Sequence, residues 1–255
     1  MRHADTTLAL NCDYGDGLAD EAVLAHIDAV NISCGALSMG EDQIRASVRL
    51  CQSLGLAIGA APSQADQAGH GRRISIMAPD SVAASVRLQV VMLMRIAAES
   101  GAGVRHVRLH GALGQFAATD PDVALAVTKS LAALDNTLIL IAPHGTHLID
   151  AARRLRMRCA AEVSADRVYE PDGALRGRTM SSAFLDDFGS SLEQLVNACQ
   201  RSYVIAHTGA KVFLEAHTAH IDSRERRAAA RAMFLRRELL RSGVRCAPFM
   251  PERSS

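Results

Sequence analysis

Short apolar runs alternate with longer stretches of helical periodicity along most of the chain, and no other feature limits the fold so strongly. Such an alternation predicts parallel strands covered by helices, arranged as a closed barrel or as an open sheet. The predicted strands have the sequences TLALNC, DAVNIS, LAIGA, VRHVRL, TLILIA, RCAAEV and KVFLEAH, with VRCAPF as a candidate eighth. Seven or eight such units favour the barrel.

The chain is predicted to form one domain. Its 255 residues, of which 49% are hydrophobic, suffice for a single large core. No Pro-, Ser- or Gly-rich linker and no repeat of fixed period divides the sequence. We therefore predict a single β/α barrel domain over residues 1–255.

Two predicted helices have recognisable ends. The segment TDPDVALAVTKSLAAL is predicted to begin with Thr119 as its N-cap and Pro121 in its first turn. The last helix is predicted to begin at Asp222 or Ser223 and to end at Gly243. We interpret its arginines as a solvated face with no function.

Charge and composition exclude several classes of partner. Because 28 Lys and Arg balance 27 Asp and Glu, we expect neither nucleic acid nor a membrane surface as a partner. No apolar run approaches the roughly 18 residues of a membrane span, and the first ten residues contain no signal-peptide core. The six cysteines include no C-x-x-C pair, which is typical of reduced thiols. The prediction is a cytoplasmic protein that binds a small molecule, with homo-oligomerisation left open.

Polar side chains follow the predicted strands, at the end where active sites of parallel α/β folds form. They are Asn11, Asp13 and Asp16 after the first strand, Asn31 and Ser33 after the second, His106, Arg108 and His110 along the fourth, Glu162, Asp166 and Arg167 after the sixth, and Glu215 and His217 after the seventh. We therefore expect Asp13, His110, Glu162 and His217 to converge at the carboxyl end of one barrel.

Each of these residues also has a purely structural interpretation. Asp13 and Asp16 can cap a helix or hold a glycine turn, and a histidine on a strand is more often a core residue than a catalytic one. Glu162 directly follows an apolar strand, so it requires a partner such as Arg108 or Arg167. The loop GHGRR can bind an anion, or it can be an ordinary exposed loop.

Several common catalytic motifs are absent. The sequence contains no G-x-x-x-x-G-K-[ST], no G-x-S-x-G and no H-E-x-x-H. A P-loop nucleotide site is therefore not expected in this chain.

Six ordered segments carry a family resemblance: LNCDYGDG, NISCG, IGAAPS, GHGRR, HVRLHGAL and AEVSADRVYEPDGAL. In order and spacing the chain resembles the LamB/YcsF family, which includes the A subunit of the prokaryotic 5-oxoprolinase. The resemblance implies an irregular seven-stranded barrel related to the glycoside hydrolase/deacetylase barrels. It also implies ATP-dependent opening of the 5-oxoproline lactam to glutamate, performed together with two partner subunits.

The resemblance implies a set of site residues. Asp13, Asp16, His110, Glu162 and Asp166 are the candidate catalytic residues, while Asn11, Asn31, Arg72, Arg108, Arg167 and His217 are the candidate substrate-binding residues. Gly35 and Gly111 also match the family pattern. No metal ligand set is predicted.

The chain departs from the family pattern at several positions. Two family histidines are replaced: Ala36 and Leu37 occupy the positions of a Phe-His pair, and Ala61 occupies the position of another His. Asp16 replaces a Glu, Arg108 a Lys and Leu109 a Pro. Ala219 replaces the acid that lies two positions after the last histidine of the pattern. Arginine keeps the charge of lysine but stays protonated, so a general base or nucleophile at position 108 is excluded.

Three functions follow as hypotheses. The first is a hydrolase like the 5-oxoprolinase A subunit, which acts on 5-oxoproline or a related small carboxylate-bearing amide. The second is a paralogue that has lost catalysis and serves as a binding or regulatory subunit. The third is a metal-dependent, deacetylase-like hydrolase of carbohydrates, which would need ligands that this sequence has lost.

Overall fold

Seven parallel strands close into a barrel in the computed structural model, which describes residues 6–17, 19–35, 40–66, 68–73 and 75–249. The strands are β1 Thr6–Tyr14, β2 Ala29–Ser33, β3 Ala57–Ala61, β4 Val104–Arg108, β5 Ile139–Pro143, β6 Cys159–Ser164, β7 Tyr203–Ile205, β8 Lys211–Phe213, β9 Thr218–His220 and β10 Val244–Cys246. The ring runs β1 to β6 in sequence order and then through β9 back to β1. β10 adds to the start of β1, and β7 pairs with β8 outside the ring. The predicted seven-stranded barrel is confirmed.

Helices cover the outside of the barrel. They are α1 Glu41–Ser53, α2 Pro79–Glu99, α3 Gly111–Thr119, α4 Pro121–Leu134, α5 His147–Arg154, α6 Phe188–Arg201 and α7 Ala228–Arg241, with a short 3-10 helix at Glu21–His26. The main hydrophobic core lies between these helices and the outer face of the strands.

The alternation of side chains along β1 explains how an apolar strand can carry acids. Leu8, Leu10 and Cys12 belong to the outer core. Because successive strand residues point to opposite faces, Asn11 and Asp13 point into the barrel. The polar groups therefore lie in the barrel interior while the hydrophobic surface of the same strand is buried against helices.

The amino-terminal part of the barrel interior is apolar. Phe249 packs against Ile139, Ile141 and Ala160, and its ring lies edge-on to the His106 imidazole, with ring centroids 4.6 Å apart. Gly59 of β3 makes room for that imidazole, because a Cβ at this position would collide with it.

The seventh strand was predicted in the wrong place. The KVF part of KVFLEAH is β8, which pairs with β7 outside the barrel, and the strand that closes the barrel is β9, which begins at Thr218. β9 has only three residues, which is too short for a periodic pattern to reveal. His217 therefore precedes the barrel strand instead of ending it.

The two predicted helix starts also require correction. The N-cap of α4 is Asp120, whose carboxylate accepts from the amides of Asp122 and Val123, whereas Thr119 is the last residue of α3. The final helix begins only at Ala228, since Asp222 is engaged in contacts with its neighbours at the barrel mouth.

One helix, α2, is long and apolar enough by composition to cross a membrane, which the sequence pattern did not predict. α2 has 21 residues and a mean hydropathy of 1.4 in its most apolar window, of which 39% is buried in the protein. It packs against β3, β4, α1 and α4, as a core helix does. The cytoplasmic location stays a prediction.

Candidate active site at the carboxyl ends of the barrel strands

Two buried carboxylates from β1 and β6 share one guanidinium from β4. The Nε and Nη2 atoms of Arg108 donate to Glu162 Oε2 and Oε1 at 2.7 and 2.8 Å, and Nη1 lies 3.3 Å from both oxygens of Asp13. Of the two predicted partners of Glu162, Arg108 and Arg167, Arg108 is the one that pairs with it. Because the acids take all these donors, Arg108 is not placed to bind a substrate anion, which differs from the sequence-based expectation.

The charges around Asp13 determine its protonation. Burial alone would raise the pKa of Asp13, but the charges of Arg108 and His220, together with the hydrogen bond to His110, outweigh it and hold that pKa well below its usual value. Burial would likewise lower the pKa of Arg108, and the attraction of Glu162 and Asp13 raises it instead. Asp13 is therefore an anion and Arg108 a cation at neutral pH.

A chain of amide hydrogen bonds lies beneath the carboxylates. Asn31 Nδ2 donates to Asn11 Oδ1 at 2.8 Å and to Asp13 Oδ1 at 3.0 Å. Asn11 Nδ2 in turn donates to Thr218 Oγ1 at 2.7 Å. Both asparagines are fully buried, so they position Asp13 from below instead of facing a substrate.

His106 ends this chain. Its Nε2 lies 2.9 Å from Asn31 Oδ1, so the ring donates from Nε2 and fixes the orientation of the amide. Burial, with a smaller effect from Arg108, lowers the pKa of His106 to about 3. The ring is therefore neutral in the folded protein.

This depressed pKa predicts a pH dependence of stability. The unfolded chain takes up a proton at His106 below about pH 6.5 while the folded chain does not, so the free energy of unfolding falls as the pH is lowered. We expect His106→Gln to reduce that slope by up to roughly 1.4 kcal/mol per pH unit between about pH 6 and 4. Urea denaturation of both proteins at several pH values tests this, and equal slopes would contradict it.

Asp13 and His110 form a hydrogen-bonded pair. His110 Nδ1 lies 2.8 Å from Asp13 Oδ2, and the other ring nitrogen, Nε2, lies 3.2 Å from Nη2 of Arg224. A guanidinium can only donate, so Nε2 accepts and the proton is on Nδ1. His110 is thus a neutral imidazole, oriented by a carboxylate, with its basic nitrogen directed at the barrel mouth.

A glycine places His110 and the neighbouring loop together. Gly111 begins α3 with φ +57°, and a Cβ there would collide with the carbonyl oxygen of Gly71. The same carbonyl accepts from the Ala112 amide at 2.8 Å. The loop that carries Arg72 is therefore held against the start of α3.

Sequence reasoning missed two residues at the end of β9. His220 Nε2 lies 3.6 Å from Asp13 Oδ2, and Asp222 follows two positions later. Burial and Arg108 would lower the pKa of His220, but Asp13 raises it. The sequence pattern suggested His217 and Ala219 as the positions of a histidine and a following acid, whereas the structure places this pair three residues further along.

His217 does not join the site, which corrects the predicted convergence. Its Nδ1 accepts from the Ala161 amide at 3.1 Å, and it lines a cavity of about 500 Å³ outside the barrel, beside α6. The other three residues predicted to converge, Asp13, His110 and Glu162, do meet.

Two further predicted site residues hold the loops around the mouth. Asp166 accepts from Ser164 Oγ at 2.8 Å and from the Asp222 amide at 2.7 Å. Arg167 donates to the carbonyl oxygens of Ala183 and Arg176. Their contacts indicate positioning roles, in contrast to the catalytic and substrate-binding roles expected for them.

Three arginines surround the mouth. Arg224 Nη2 pairs with Asp16 Oδ2 at 2.8 Å, and Arg178 Nη2 with Asp222 Oδ2 at 2.7 Å. Burial and the charges of Arg224 and Arg178 lower the pKa of Arg72, although Asp222 and Asp16 act in the opposite direction. Anion binding by the GHGRR loop at this mouth stays a prediction.

The departures from the family pattern can be placed only in part. Ala36 and Leu37 lie outside the described residues. Ala61 is fully buried at the end of β3, and alternation with Ala60 of the outer core directs it into the barrel.

No group of three or more His, Cys, Asp or Glu side chains that could hold a metal ion occurs within the part of the chain that the structure describes. We expect the purified protein to hold no tightly bound transition metal, because Leu37 and Ala61 replace family histidines and Arg108 supplies the positive charge beside Asp13. Elemental analysis after dialysis tests this. Near-stoichiometric zinc or another first-row ion would contradict it and favour the deacetylase-like hypothesis.

Comparisons with known proteins identify the fold and the family. A crystal structure of the lactam utilization protein from Thermus thermophilus superposes with a TM-score of 0.88 at 28% identity, covering 95% of this chain and 100% of that one. The family 4 carbohydrate esterase from Streptomyces lividans, solved in complex with acetate, gives 0.51 at 8% identity over 95% and 92% of the two chains, which shows the fold alone. The 5-oxoprolinase A subunit of Chloroflexus aggregans is 38% identical over 244 residues, 93% of this chain and 97% of that protein. The model of the LamB/YcsF family matches residues 8–254, and the chain therefore belongs to the LamB/YcsF family.

Proposed function

We propose that this protein is a hydrolase of the same type as the 5-oxoprolinase A subunit. It would open 5-oxoproline, or a related small carboxylate-bearing amide, to glutamate or the corresponding amino acid, in a complex with partner subunits. The observation that carries the proposal is the Asp13–His110 pair, whose basic nitrogen lies 3.2 Å from Nη2 of Arg224 at the barrel mouth.

The pair can perform both proton transfers of an amide hydrolysis. A water molecule adds to the lactam carbonyl carbon and gives its proton to His110 Nε2, while Asp13 stabilises the imidazolium. The ring C–N bond then breaks, and His110 returns the proton to the departing nitrogen. The substrate carboxylate is held by the arginines of the mouth, of which Arg72 and Arg178 are exposed.

The ATP of the family reaction is assigned to the partner subunits. The sequence has no phosphate-binding glycine loop, and the 500 Å³ cavity beside α6 is lined by Arg153, Glu215 and His217 outside the barrel. No step at the Asp13–His110 pair is routed through ATP.

A second function is favoured by Arg108. This residue replaces a family lysine and is occupied by Glu162 and Asp13, so it can neither move a proton nor contact a substrate. Loss of catalysis with retention of small-molecule binding would follow if that lysine is needed for the reaction.

Reconstitution tests the two functions. We expect little or no glutamate from 5-oxoproline by this protein alone, and slow ATP-dependent release when partner subunits of an active relative are added. Turnover of the protein alone on the order of one per second or faster would contradict both the loss of catalysis and the requirement for partner subunits.

A variant separates the two outcomes further. If the site is degenerate, Leu37→His with Ala61→His and Arg108→Lys should raise the rate in the presence of the partner subunits. If the hydrolase proposal holds, the unmodified chain shows ATP-dependent turnover and the triple variant does not exceed it.

A further inference from the structure

We infer that the Arg224 guanidinium caps the catalytic base, which is Nε2 of His110, and that binding of a substrate carboxylate displaces this guanidinium. This inference rests on the proposed function, since it concerns the same imidazole. Arg224 then determines specificity, because an amide without a neighbouring carboxylate does not displace the guanidinium from His110.

The cap is a direct contact. Arg224 Nη2 donates to His110 Nε2 at 3.2 Å, which is the nitrogen that must take a proton from water. The side chains of Arg224 and His110 are only 14% and 8% exposed, so little room is left for a water molecule beside Nε2 of His110. In this arrangement the base is correctly oriented but blocked.

The cap also has an anchor that can remain in place when it opens. The same Nη2 pairs with Asp16 Oδ2 at 2.8 Å. The backbone amide of Arg224 is bound in addition to Asp222 Oδ1 at 3.2 Å. A small rotation of the guanidinium can therefore break the contact with His110 and keep the ion pair with Asp16.

A carboxylate is the natural competitor of the imidazole for Arg224. Charge-assisted hydrogen bonds between a guanidinium and a carboxylate are about twice as strong as those to a neutral acceptor. The loop that carries Arg72 is held against the start of α3, next to His110, because the Gly71 carbonyl accepts from the Ala112 amide at 2.8 Å. Arg72 is therefore a second cation for the substrate carboxylate. Binding of the substrate carboxylate and uncovering of Nε2 are then one event.

The side-chain ¹⁵N resonances of His110 test the cap without any turnover. The full chain would be titrated with 5-oxoproline, with acetate and with the neutral lactam 2-pyrrolidinone. The variants are Arg224→Gln and, as a matched control, Arg226→Gln, an exposed position two residues away.

We expect free wild type and Arg226→Gln to show the Nδ1–H tautomer, with an Nε2 resonance that shifts when 5-oxoproline or acetate is added and not with 2-pyrrolidinone. In Arg224→Gln the Nε2 resonance should be shifted already in the free protein, and the anions should change it little. An Nε2 resonance that responds to neither anion in wild type, or that responds equally in Arg224→Gln, would overturn the inference.

A kinetic comparison separates the cap from the proposed function. With partner subunits present, wild type and Arg226→Gln should have a higher kcat/KM for 5-oxoproline than for 2-pyrrolidinone. In Arg224→Gln the ratio of these two kcat/KM values should be at least about tenfold smaller. Retention of the full preference by Arg224→Gln would overturn the cap alone. Absence of turnover in every protein would count against the proposed function, while the resonance measurement would still decide the cap.

Discussion

His110→Gln is expected to lower ATP-dependent glutamate formation about a hundredfold to ten-thousandfold in the reconstituted complex, the usual cost of losing a positioned acid–base group. Glutamine can still hydrogen-bond to Asp13, so the fold should be preserved. It cannot carry a proton between water and the lactam nitrogen. The measurement is the rate of glutamate release at saturating 5-oxoproline.

Two comparisons make this result specific. His147→Gln, at an exposed position of α5, should leave the rate unchanged, and the unfolding midpoints of both variants should match that of wild type. Asp13→Asn should also lower the rate, but it removes an ion pair with Arg108 as well, so it is the less direct test. A His110→Gln rate within about tenfold of wild type would show that His110 is not the base.

Much of the site was predictable because parallel strands end at one edge. Asp13 and Glu162 each follow an apolar strand in the sequence, and a barrel brings such strand ends together. His110 follows β4 in the same way. The cost of burying a lone carboxylate narrowed the partner of Glu162 to Arg108 or Arg167, and the tertiary structure selects Arg108.

The residues that sequence reasoning missed depend on tertiary contacts or on very short elements. His220 lies at the end of a strand of three residues, which has no detectable period. Arg224 was grouped with the arginines of the last helix, although it precedes α7 and pairs with Asp16. Arg108 was expected to bind an anion, because its sequence position does not reveal that two carboxylates already surround it.

The same arrangement predicts a large loss of stability on removal of Arg108. Arg108→Met should lower the free energy of unfolding by about 3–5 kcal/mol at pH 7, since it removes the guanidinium that the two buried carboxylates, Asp13 and Glu162, share. Arg45→Met is a matched control: Arg45 Nε lies 2.8 Å from Glu99 Oε2 on the surface. Its loss should cost less than about 1 kcal/mol.

The pH dependence of this stability loss identifies its physical cause. In wild type the pKa of Asp13 is held well below its usual value, so its contribution is present above about pH 3.9 and is lost only as the pH falls through the lower, folded-state pKa. In Arg108→Met burial raises the pKa of Asp13, so the folded variant takes up a proton more readily than the unfolded chain and gains stability on acidification. The difference in the free energy of unfolding between wild type and Arg108→Met should therefore be largest at pH 7 and decrease towards about pH 5. Urea denaturation at both pH values measures it, and a loss that is small, or that does not change with pH, would mean that Arg108 does not hold these carboxylates in their charged form.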